Sequence, residues 1–169
     1  MDYYIIHRAN TIHYLRAKGA VVGQGCDIIA GVHSLGTEPY LVRLGDNVTI
    51  AGGAILITHD GATRVFRKLD PDWKTGMGLY GVIEIENNVF IGANSIILPD
   101  IHIGSNVIIG AGSVVTRDIA SGSIVAGNPA RMIGTVNEYK EKARIKAIDL
   151  PKWDDRSKRE LLTTVFWKK

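Results

Sequence analysis

The sequence predicts a mostly β fold in which short parallel strands form a regular coil, with helices at both ends of the chain. Ten six-residue units share one template, and six of them run without interruption from residue 85 to residue 120. Apolar residues at helical spacing occupy both termini. A turn in every six residues is too frequent for a helix and too regular for hairpins, whereas coils of three short strands joined by corners satisfy it. We therefore expect successive coils to stack around an aliphatic core.

Each six-residue unit begins with an aliphatic residue and carries Gly, Asn or Asp three places later. These three residue types tolerate the left-handed backbone conformation that a tight corner can require. The aliphatic positions are Val22, Ile28, Leu44, Ile50, Ile85, Ile91, Ile97, Ile103, Ile109 and Val115. The corner positions are Gly25, Gly31, Asn47, Gly53, Asn88, Asn94, Asp100, Asn106, Gly112 and Asp118. We expect the aliphatic side chains to point inward and to form one continuous ladder.

Three segments surround or interrupt the repeat. Residues 1–20 are expected to form a capping helix over the first coil, because apolar residues there recur at roughly helical spacing. The repeat domain covers residues 21–134, with a slip of its period between Gly31 and Leu44 and a long loop over residues 59–81. Residues 135–169 are expected to form a helical tail, with a second helix that begins after Asp154 or Asp155. A loop as long as 59–81 is usually functional.

Charge and composition exclude several classes of protein. The chain has 169 residues, a net charge of +3 and a single cysteine, so it can form no internal disulfide. Positive and negative residues are interspersed in the basic tail, which is typical of a solvated helix face and not of a nucleic-acid-binding surface. We find no signal peptide and no apolar run long enough to span a membrane. We therefore expect a cytoplasmic protein that binds no nucleic acid.

Candidate chemistry is expected where the repeat is broken, because the repeat uses its side chains for packing and corners. His59 lies at the longest break, and a histidine suits a general base that removes a proton from a hydroxyl or ammonium group. Cys26 occupies an inward position without a neighbouring base, so we expect no covalent intermediate on it. The pattern of His33, His59 and His102 lacks the closely spaced pair of a zinc site, and we expect no metal.

Two stretches of the repeat, Ile91-Gly-Ala-Asn-Ser-Ile96 and Ile103-Gly-Ser-Asn-Val-Ile108, closely resemble the hexapeptide-repeat acyltransferases. The resemblance implies a left-handed parallel β-helix, a homotrimer, and acetyl-CoA bound between subunits. The segment Thr58-His59-Asp60-Gly61 resembles the catalytic segment of sugar O-acetyltransferases that act on maltose, galactosides and surface polysaccharides, in which the histidine is the base. Asp60 would orient His59 or bind a sugar hydroxyl; alternatively, it only stabilises the turn before Gly61.

The same resemblance assigns the binding residues. Acetyl-CoA would contact Phe90 along its pantetheine arm, backbone groups of Ala93 and Ala111, and, at its nucleotide end, Thr116, Arg117 and Arg131. Arg117 stands where these enzymes commonly have lysine, and it retains the charge with a different geometry. The insertion with Glu38-Pro39-Tyr40 resembles the surface-polysaccharide branch. His33, Glu38 and Tyr40 are therefore candidates for binding the acceptor.

The sequence thus favours an acetyl-CoA-dependent O-acetyltransferase that modifies a sugar hydroxyl in surface-polysaccharide biosynthesis, with His59 as the general base. Two alternatives stay open: an N-acetyltransferase acting on a nucleotide-linked amino sugar, and a hexapeptide-repeat scaffold without catalysis. The large N-terminal helical domain typical of serine acetyltransferases does not fit in about twenty residues, so that branch is not expected.

Overall fold

A computed structural model describes residues 3–149 and 154–167. The chain forms two compact units, Met1–Asn137 and Glu138–Lys169. The first contains the N-terminal helix and all of the β structure, and the second contains helical residues of the tail. The boundaries at residues 20 and 134 that the sequence suggests stay predictions.

The helices and strands are short and follow one another closely along the chain. The α-helices are α1 Tyr3–Ala17, α2 Thr63–Leu69, α3 Val136–Lys146 and α4 Asp155–Trp167, and a 3₁₀ turn spans Pro39–Leu41. The strands are β1 Val21–Val22, β2 Asp27–Ile28, β3 Val42–Leu44, β4 Thr49–Ile50, β5 Ile55–Leu56, β6 His59–Asp60, β7 Leu79–Tyr80, β8 Ile83–Ile85, β9 Val89–Ile91, β10 Ile96–Ile97, β11 Ile101–Ile103, β12 Val107–Ile109, β13 Val114–Val115, β14 Ser123–Ala126 and β15 Arg131–Thr135. The chain is mostly β with helices at both ends, as the sequence predicts.

Three parallel sheets form the sides of the coil. Their strand orders are β1-β3-β8-β11, β5-β10-β13 and β2-β4-β9-β12-β14, with β15 added antiparallel to β14. From β3 to β13, apart from β6 and β7 of the long loop, consecutive strands enter the three sheets in turn, and the register pairs equivalent positions of successive coils, for example Ile97 with Val115. This arrangement explains the six-residue period, because one strand and one corner consume six residues and every coil repeats the same three sides.

The core is the predicted aliphatic ladder. All ten aliphatic positions are at most 7% exposed, and Ile50, Ile91, Ile97, Ile103 and Ile109 are completely buried. The small residues that follow the corners also point inward, as Ala54, Ser95 and Ser113 show with no exposed surface. The coil therefore buries each aliphatic side chain against the coils on either side of it.

Nine of the ten predicted corner residues have positive φ, between 56° and 85°. Asp118 is the exception within the described chain, so the expectation of a left-handed corner there is wrong. Its Oδ1 accepts the backbone N–H of His102 at 2.8 Å, and the next residue, Ile119, forms only an isolated bridge with Ile103. Positive φ occurs instead at Gly122. The regular corner geometry is lost here because the adjoining side of the last coil is no longer a continuous strand.

The N-terminal helix α1 packs against the first strands of the coil, β1 and β2. Leu15 is completely buried in the core. Arg16 donates from Nη2 to the carbonyl oxygens of Val22, at 2.6 Å, and of Gly23, at 3.0 Å. Strand β1 is the outermost strand of its sheet, and an outermost strand presents unpaired backbone groups. The helix therefore both buries apolar surface and supplies hydrogen bonds to this edge.

Candidate active site

The insertion between Gly31 and Leu44 lies against the strand that leads to His59. Leu35 is completely buried, and the N–H of Leu56 donates to the carbonyl of Ser34 at 2.7 Å. Gly36 has φ of +69°, and a Cβ at this position would lie 2.8 Å from Thr58 Oγ1. Such an approach is open only to glycine. The insertion is thereby held close to Thr58, and Glu38 follows two residues later.

The long loop leaves the coil through a two-stranded antiparallel base. Strands β6 and β7 pair His59 with Tyr80 and Asp60 with Leu79, and the N–H of Gly81 donates to the carbonyl of Thr58 at 3.0 Å. The imidazole of His59 and the ring of Tyr80 have centroids 6.0 Å apart. The long loop predicted over residues 59–81 thus starts and ends in a short antiparallel ladder, which fixes the position of His59.

Glu38 and His59 form a hydrogen-bonded pair. Glu38 Oε2 lies 3.0 Å from His59 Nδ1, and it also accepts the hydroxyl of Thr58 at 2.6 Å. Glu38 Oε1 accepts the hydroxyl of Thr37 at 2.7 Å. The side chain of Glu38 is 15% exposed and that of His59 is 42% exposed. The carboxylate is therefore enclosed by donors, while part of the imidazole faces open space.

The surroundings of Glu38 favour its ionised form. Partial burial raises the pKa of the carboxyl, but hydrogen bonds from Thr58, Thr37 and His59 outweigh this effect, so the pKa lies below the ordinary glutamate value. An ionised carboxylate can only accept hydrogen bonds, so Nδ1 of a neutral His59 must carry the proton. Nε2 then has a free lone pair, as a general base requires.

Asp60 makes local hydrogen bonds and none to His59 among those of the described residues. Its Oδ1 accepts the N–H of Ala62 at 2.7 Å, and its carbonyl accepts the hydroxyl of Thr63 at 3.4 Å. This is the turn-stabilising arrangement that the sequence left open, and the carboxylate that contacts His59 is Glu38. Sequence reasoning missed the pair because twenty-one positions separate the two residues. The insertion itself was the signal that could have identified Glu38, because it carries a carboxylate and precedes the loop.

Two cavities meet at His59. One, of 370 Å³, lies on the loop side and is lined by Thr63, Arg64, Arg67 and Gly78, among others. The other, of 560 Å³, extends along the corner of the coil past Ile57, Leu98 and Thr116. Both cavities are also lined by His59, Asp60, Gly61, Leu79 and Tyr80. The imidazole therefore stands where two different ligands could meet.

The predicted coenzyme residues are distributed over different parts of one chain. Thr116, which the resemblance assigns to the nucleotide end of the coenzyme, instead lines the larger cavity together with His59. Phe90, which is 45% exposed, belongs to another sheet and lines a separate 250 Å³ cavity with Thr49 and Ile108. Ala93 is half-buried, and its carbonyl accepts the N–H of Gly112 at 2.8 Å. Ala111, Arg117 and Arg131 are exposed. A single chain thus brings together His59 and Thr116 but not His59 and Phe90.

The remaining candidates lie elsewhere. His33 and Tyr40 are exposed, and the described residues that line the two cavities at His59 do not include them. Tyr40 instead lies against Gly19, where a Cβ would meet the tyrosine Cβ at 2.9 Å. Cys26 is half-buried, and its thiol donates to the carbonyl of Gly45 at 3.1 Å. Burial raises the pKa of this thiol, which keeps it protonated and unreactive.

The repeat and most of the chain match known proteins. The family model described as bacterial transferase hexapeptide (six repeats) matches residues 83–117. The Staphylococcus aureus protein CapG is 43% identical over 129 residues, which cover 76% of this chain and 73% of CapG. The chain belongs to the hexapeptide-repeat acyltransferase family.

Solved structures of this family share the fold. A serine acetyltransferase from Brucella abortus, crystallised with coenzyme A, is 28% identical with a TM-score of 0.52, and the match covers 69% of this chain and 40% of that enzyme. The chain therefore spans less than half of that enzyme's length. A hexapeptide-repeat acetyltransferase from Vibrio cholerae is 20% identical with a TM-score of 0.52, over 76% of this chain and 81% of that one, and shows the fold alone.

Over residues 3–149 and 154–167, no group of three or more His, Cys, Asp or Glu side chains could hold a metal ion. None of the helices in the same ranges is long and apolar enough to cross a membrane.

Proposed function

We propose that this protein is an acetyl-CoA-dependent O-acetyltransferase that modifies a sugar hydroxyl, in the synthesis of a surface polysaccharide. One observation carries the proposal: Glu38 holds Nδ1 of His59 at 3.0 Å, and the imidazole lies at the junction of two cavities. A base of this kind, with space for a ligand on either side, suits transfer between two bound substrates.

In the proposed reaction, His59 Nε2 removes the proton from the acceptor hydroxyl while the hydroxyl oxygen attacks the acetyl carbonyl of the donor. The imidazolium that forms is stabilised by Glu38, which stays ionised and accepts the hydrogen bond from the Nδ1–H group throughout. As the carbon–sulfur bond breaks, His59 returns its proton to the sulfur, and coenzyme A leaves as a thiol. Glu38 acts through His59 and is a positioning residue.

The cavity along the coil suits the thioester arm of acetyl-CoA. Its described lining includes the apolar residues Ile57, Leu98 and Pro99, together with the polar residues Asp60, Asp100 and Thr116. A thin amide-containing chain can lie against such a wall with few polar contacts. We assign this side to the donor and the loop side to the acceptor.

The proposal includes a homotrimer with coenzyme A bound between subunits, and the left-handed coil that the family resemblance implies. Phe90 and Thr116 support an assembly of more than one chain, because they lie in separate cavities of one chain. A coenzyme that contacts both residues therefore needs two chains. Sedimentation equilibrium at several concentrations measures the stoichiometry, and a monomer with full activity would contradict this part.

The test of the function is an assay of thiol release from acetyl-CoA against a panel of free sugars, sugar phosphates, nucleotide sugars and amino sugars. We expect release with hydroxyl acceptors and an ester product by mass spectrometry. Faster transfer to a nucleotide-linked amino sugar than to any hydroxyl would replace the proposal with N-acetylation. Calorimetry that detects no binding of coenzyme A would instead indicate a scaffold without catalysis.

A further inference from the structure

The loop side of the site contains an excess of positive charge. Arg64 and Arg67 lie three residues apart on α2, so they are neighbours on one face of the helix. Both line the 370 Å³ cavity together with His59. Asp60 contributes a carboxylate to the same wall, and its Oδ1 already accepts a backbone N–H. Two guanidinium groups against one carboxylate leave this cavity positive with the histidine neutral.

Arg67 is held in place but is incompletely hydrogen-bonded. Its Nη2 donates to the carbonyl of Met77 across the loop, at 3.3 Å. Its Nε is buried and finds no hydrogen-bond partner among the described residues. A buried donor on a cation is costly to leave unpaired, so a small shift of this side chain toward an anionic group in the cavity would be stabilising. Arg64 is exposed and can turn toward the same ligand.

We infer that the acceptor is an anionic sugar, whose phosphate or carboxylate group is bound by Arg64 and Arg67. This inference rests on the proposed function and narrows its substrate class. Guanidinium groups bind these oxyanions through paired, charge-assisted hydrogen bonds. Tyr80 lines the same cavity, with its ring centroid 6.0 Å from that of His59 and 62% of its surface exposed, and offers an aromatic wall for the sugar ring. Binding of the anion would then decide which hydroxyl reaches His59.

The phosphates of coenzyme A are a poorer match for this cavity. The arginines share a 370 Å³ space with His59, so any group that they bind lies close to the base. In coenzyme A, an extended pantetheine arm separates the thioester from the diphosphate. A thioester that reaches His59 therefore places its phosphates well away from Arg64 and Arg67. The arginines should affect the acceptor and not the donor.

The experiment uses the full chain and four probes with the galacto configuration. One is neutral, galactose, and three are anionic: galacturonic acid, galactose 1-phosphate and UDP-galactose. Calorimetry measures the dissociation constant of each, and the thiol-release assay measures kcat and KM. The test variants are Arg67→Met, Arg67→Lys and Arg64→Gln, with Arg64 chosen because an exposed side chain can be changed without loss of folding. Lys68→Gln is the control, because it removes one positive charge from the same helix. Lys68 is exposed, and it is not among the described residues that line the cavity.

We expect at least one anionic probe to bind about 10- to 100-fold more tightly than galactose, and Arg67→Met and Arg64→Gln to remove that preference. Arg67→Lys should retain part of it, and Lys68→Gln should retain all of it. Preference for galacturonic acid identifies a carboxylate, and preference for galactose 1-phosphate or UDP-galactose identifies a phosphate.

Two results would overturn the inference. One is equal binding of neutral and anionic probes by the unchanged protein. The other is a rise in the KM for acetyl-CoA in the arginine variants with no change in the KM for the acceptor. That result would show that both arginines bind acetyl-CoA. If arginine-dependent binding of an anionic probe persists but no probe is acetylated, the anion site stands and the proposed function fails.

Discussion

Glu38 Oε2 lies 3.0 Å from His59 Nδ1, and this pair joins two segments that both interrupt the repeat. The first is the short insertion after Gly31, and the second is the long loop that begins at His59. Neither segment can place the pair alone, because Gly36 and Thr58 must pack closely before Glu38 reaches the imidazole. The regular coil acts as the rigid support to which both insertions are attached.

Replacement of Glu38 by glutamine should lower kcat about 10²-fold with little change in the KM for acetyl-CoA. The amide removes the charge that stabilises the imidazolium, and it can turn its NH₂ toward Nδ1, which favours the wrong tautomer. Steady-state kinetics measures the effect. Glu84→Gln is the control, since Glu84 forms an exposed pair with Arg43 on the regular repeat. An unchanged kcat in Glu38→Gln would remove the positioning role.

The Glu38 pair should also make stability depend on pH. The pKa of the Glu38 carboxyl is lower in the folded protein than in an unfolded chain, because the hydrogen bonds from Thr58, Thr37 and His59 outweigh the effect of partial burial. The stabilisation is therefore fully present above the ordinary glutamate pKa and is lost as the pH falls through the lowered value. Thermal unfolding of the protein and of Glu38→Gln should differ near neutral pH and converge in acid. A difference that grows in acid would contradict this sign.

His59→Ala should reduce kcat by about 10² to 10⁴-fold and leave coenzyme A affinity nearly unchanged. The chain provides a matched control in His102, which is also paired with a glutamate: its Nε2 lies 3.2 Å from Glu86 Oε1. The two histidine side chains have similar exposure, 42% and 48%. Since His102 lies on a regular strand, His102→Ala should keep full turnover. Equal losses in both variants would indicate a general effect on folding.

Gly36→Ala should lower both stability and kcat. Alanine at φ of +69° is strained, and its Cβ would approach Thr58 Oγ1 to 2.8 Å, which displaces the segment that carries Glu38. We expect a loss of roughly 1–3 kcal/mol in the free energy of unfolding. Gly122→Ala is the control, because its φ is +77° but no described atom lies within 4 Å of the added Cβ. That variant should lose stability without loss of kcat.

Ile103→Asp should prevent the coil from folding. Ile103 is completely buried in the aliphatic ladder, so the carboxylate would be placed without a partner between two coils, at a cost above about 4 kcal/mol. Ile103→Val, which removes one methylene at the same position, should cost only about 0.5–1.5 kcal/mol. Circular dichroism and denaturant unfolding compare the two. A folded Ile103→Asp protein would show that the ladder is not continuous there.

The sequence predicts the coil well because the residues of each six-residue unit determine the local geometry of that unit. An aliphatic residue such as Ile97 and a corner residue such as Asn94 fix side-chain direction and backbone turn within six positions. Where the pattern ended, prediction failed: Asp118 has the right residue type but lacks a full strand after it. Local rules therefore hold only while neighbouring coils continue.

The site was less predictable because its contacts are not local. The choice of His59 came from its place at the break, whereas its partner Glu38 depends on how an insertion packs. Likewise, sequence alone groups Phe90 and Thr116 as coenzyme residues, although they lie in separate cavities of one chain. No spacing rule within one chain reveals which surfaces of two chains would face each other in the proposed trimer.

Arg131→Ala should raise the KM for acetyl-CoA about 10-fold while kcat at saturation changes little, since the side chain is proposed to bind the nucleotide end, far from the reacting atoms. Arg131 is exposed, and its Nη1 donates to the carbonyl of the adjacent residue Ala130 at 2.8 Å, so its removal should leave the fold intact. Arg43→Ala is the control, because this exposed arginine already pairs with Glu84 at 3.1 Å. Calorimetry with coenzyme A should show the same loss for Arg131→Ala and none for Arg43→Ala. If neither affinity nor KM moves in Arg131→Ala, the nucleotide end binds elsewhere, and Arg117 becomes the next position to replace.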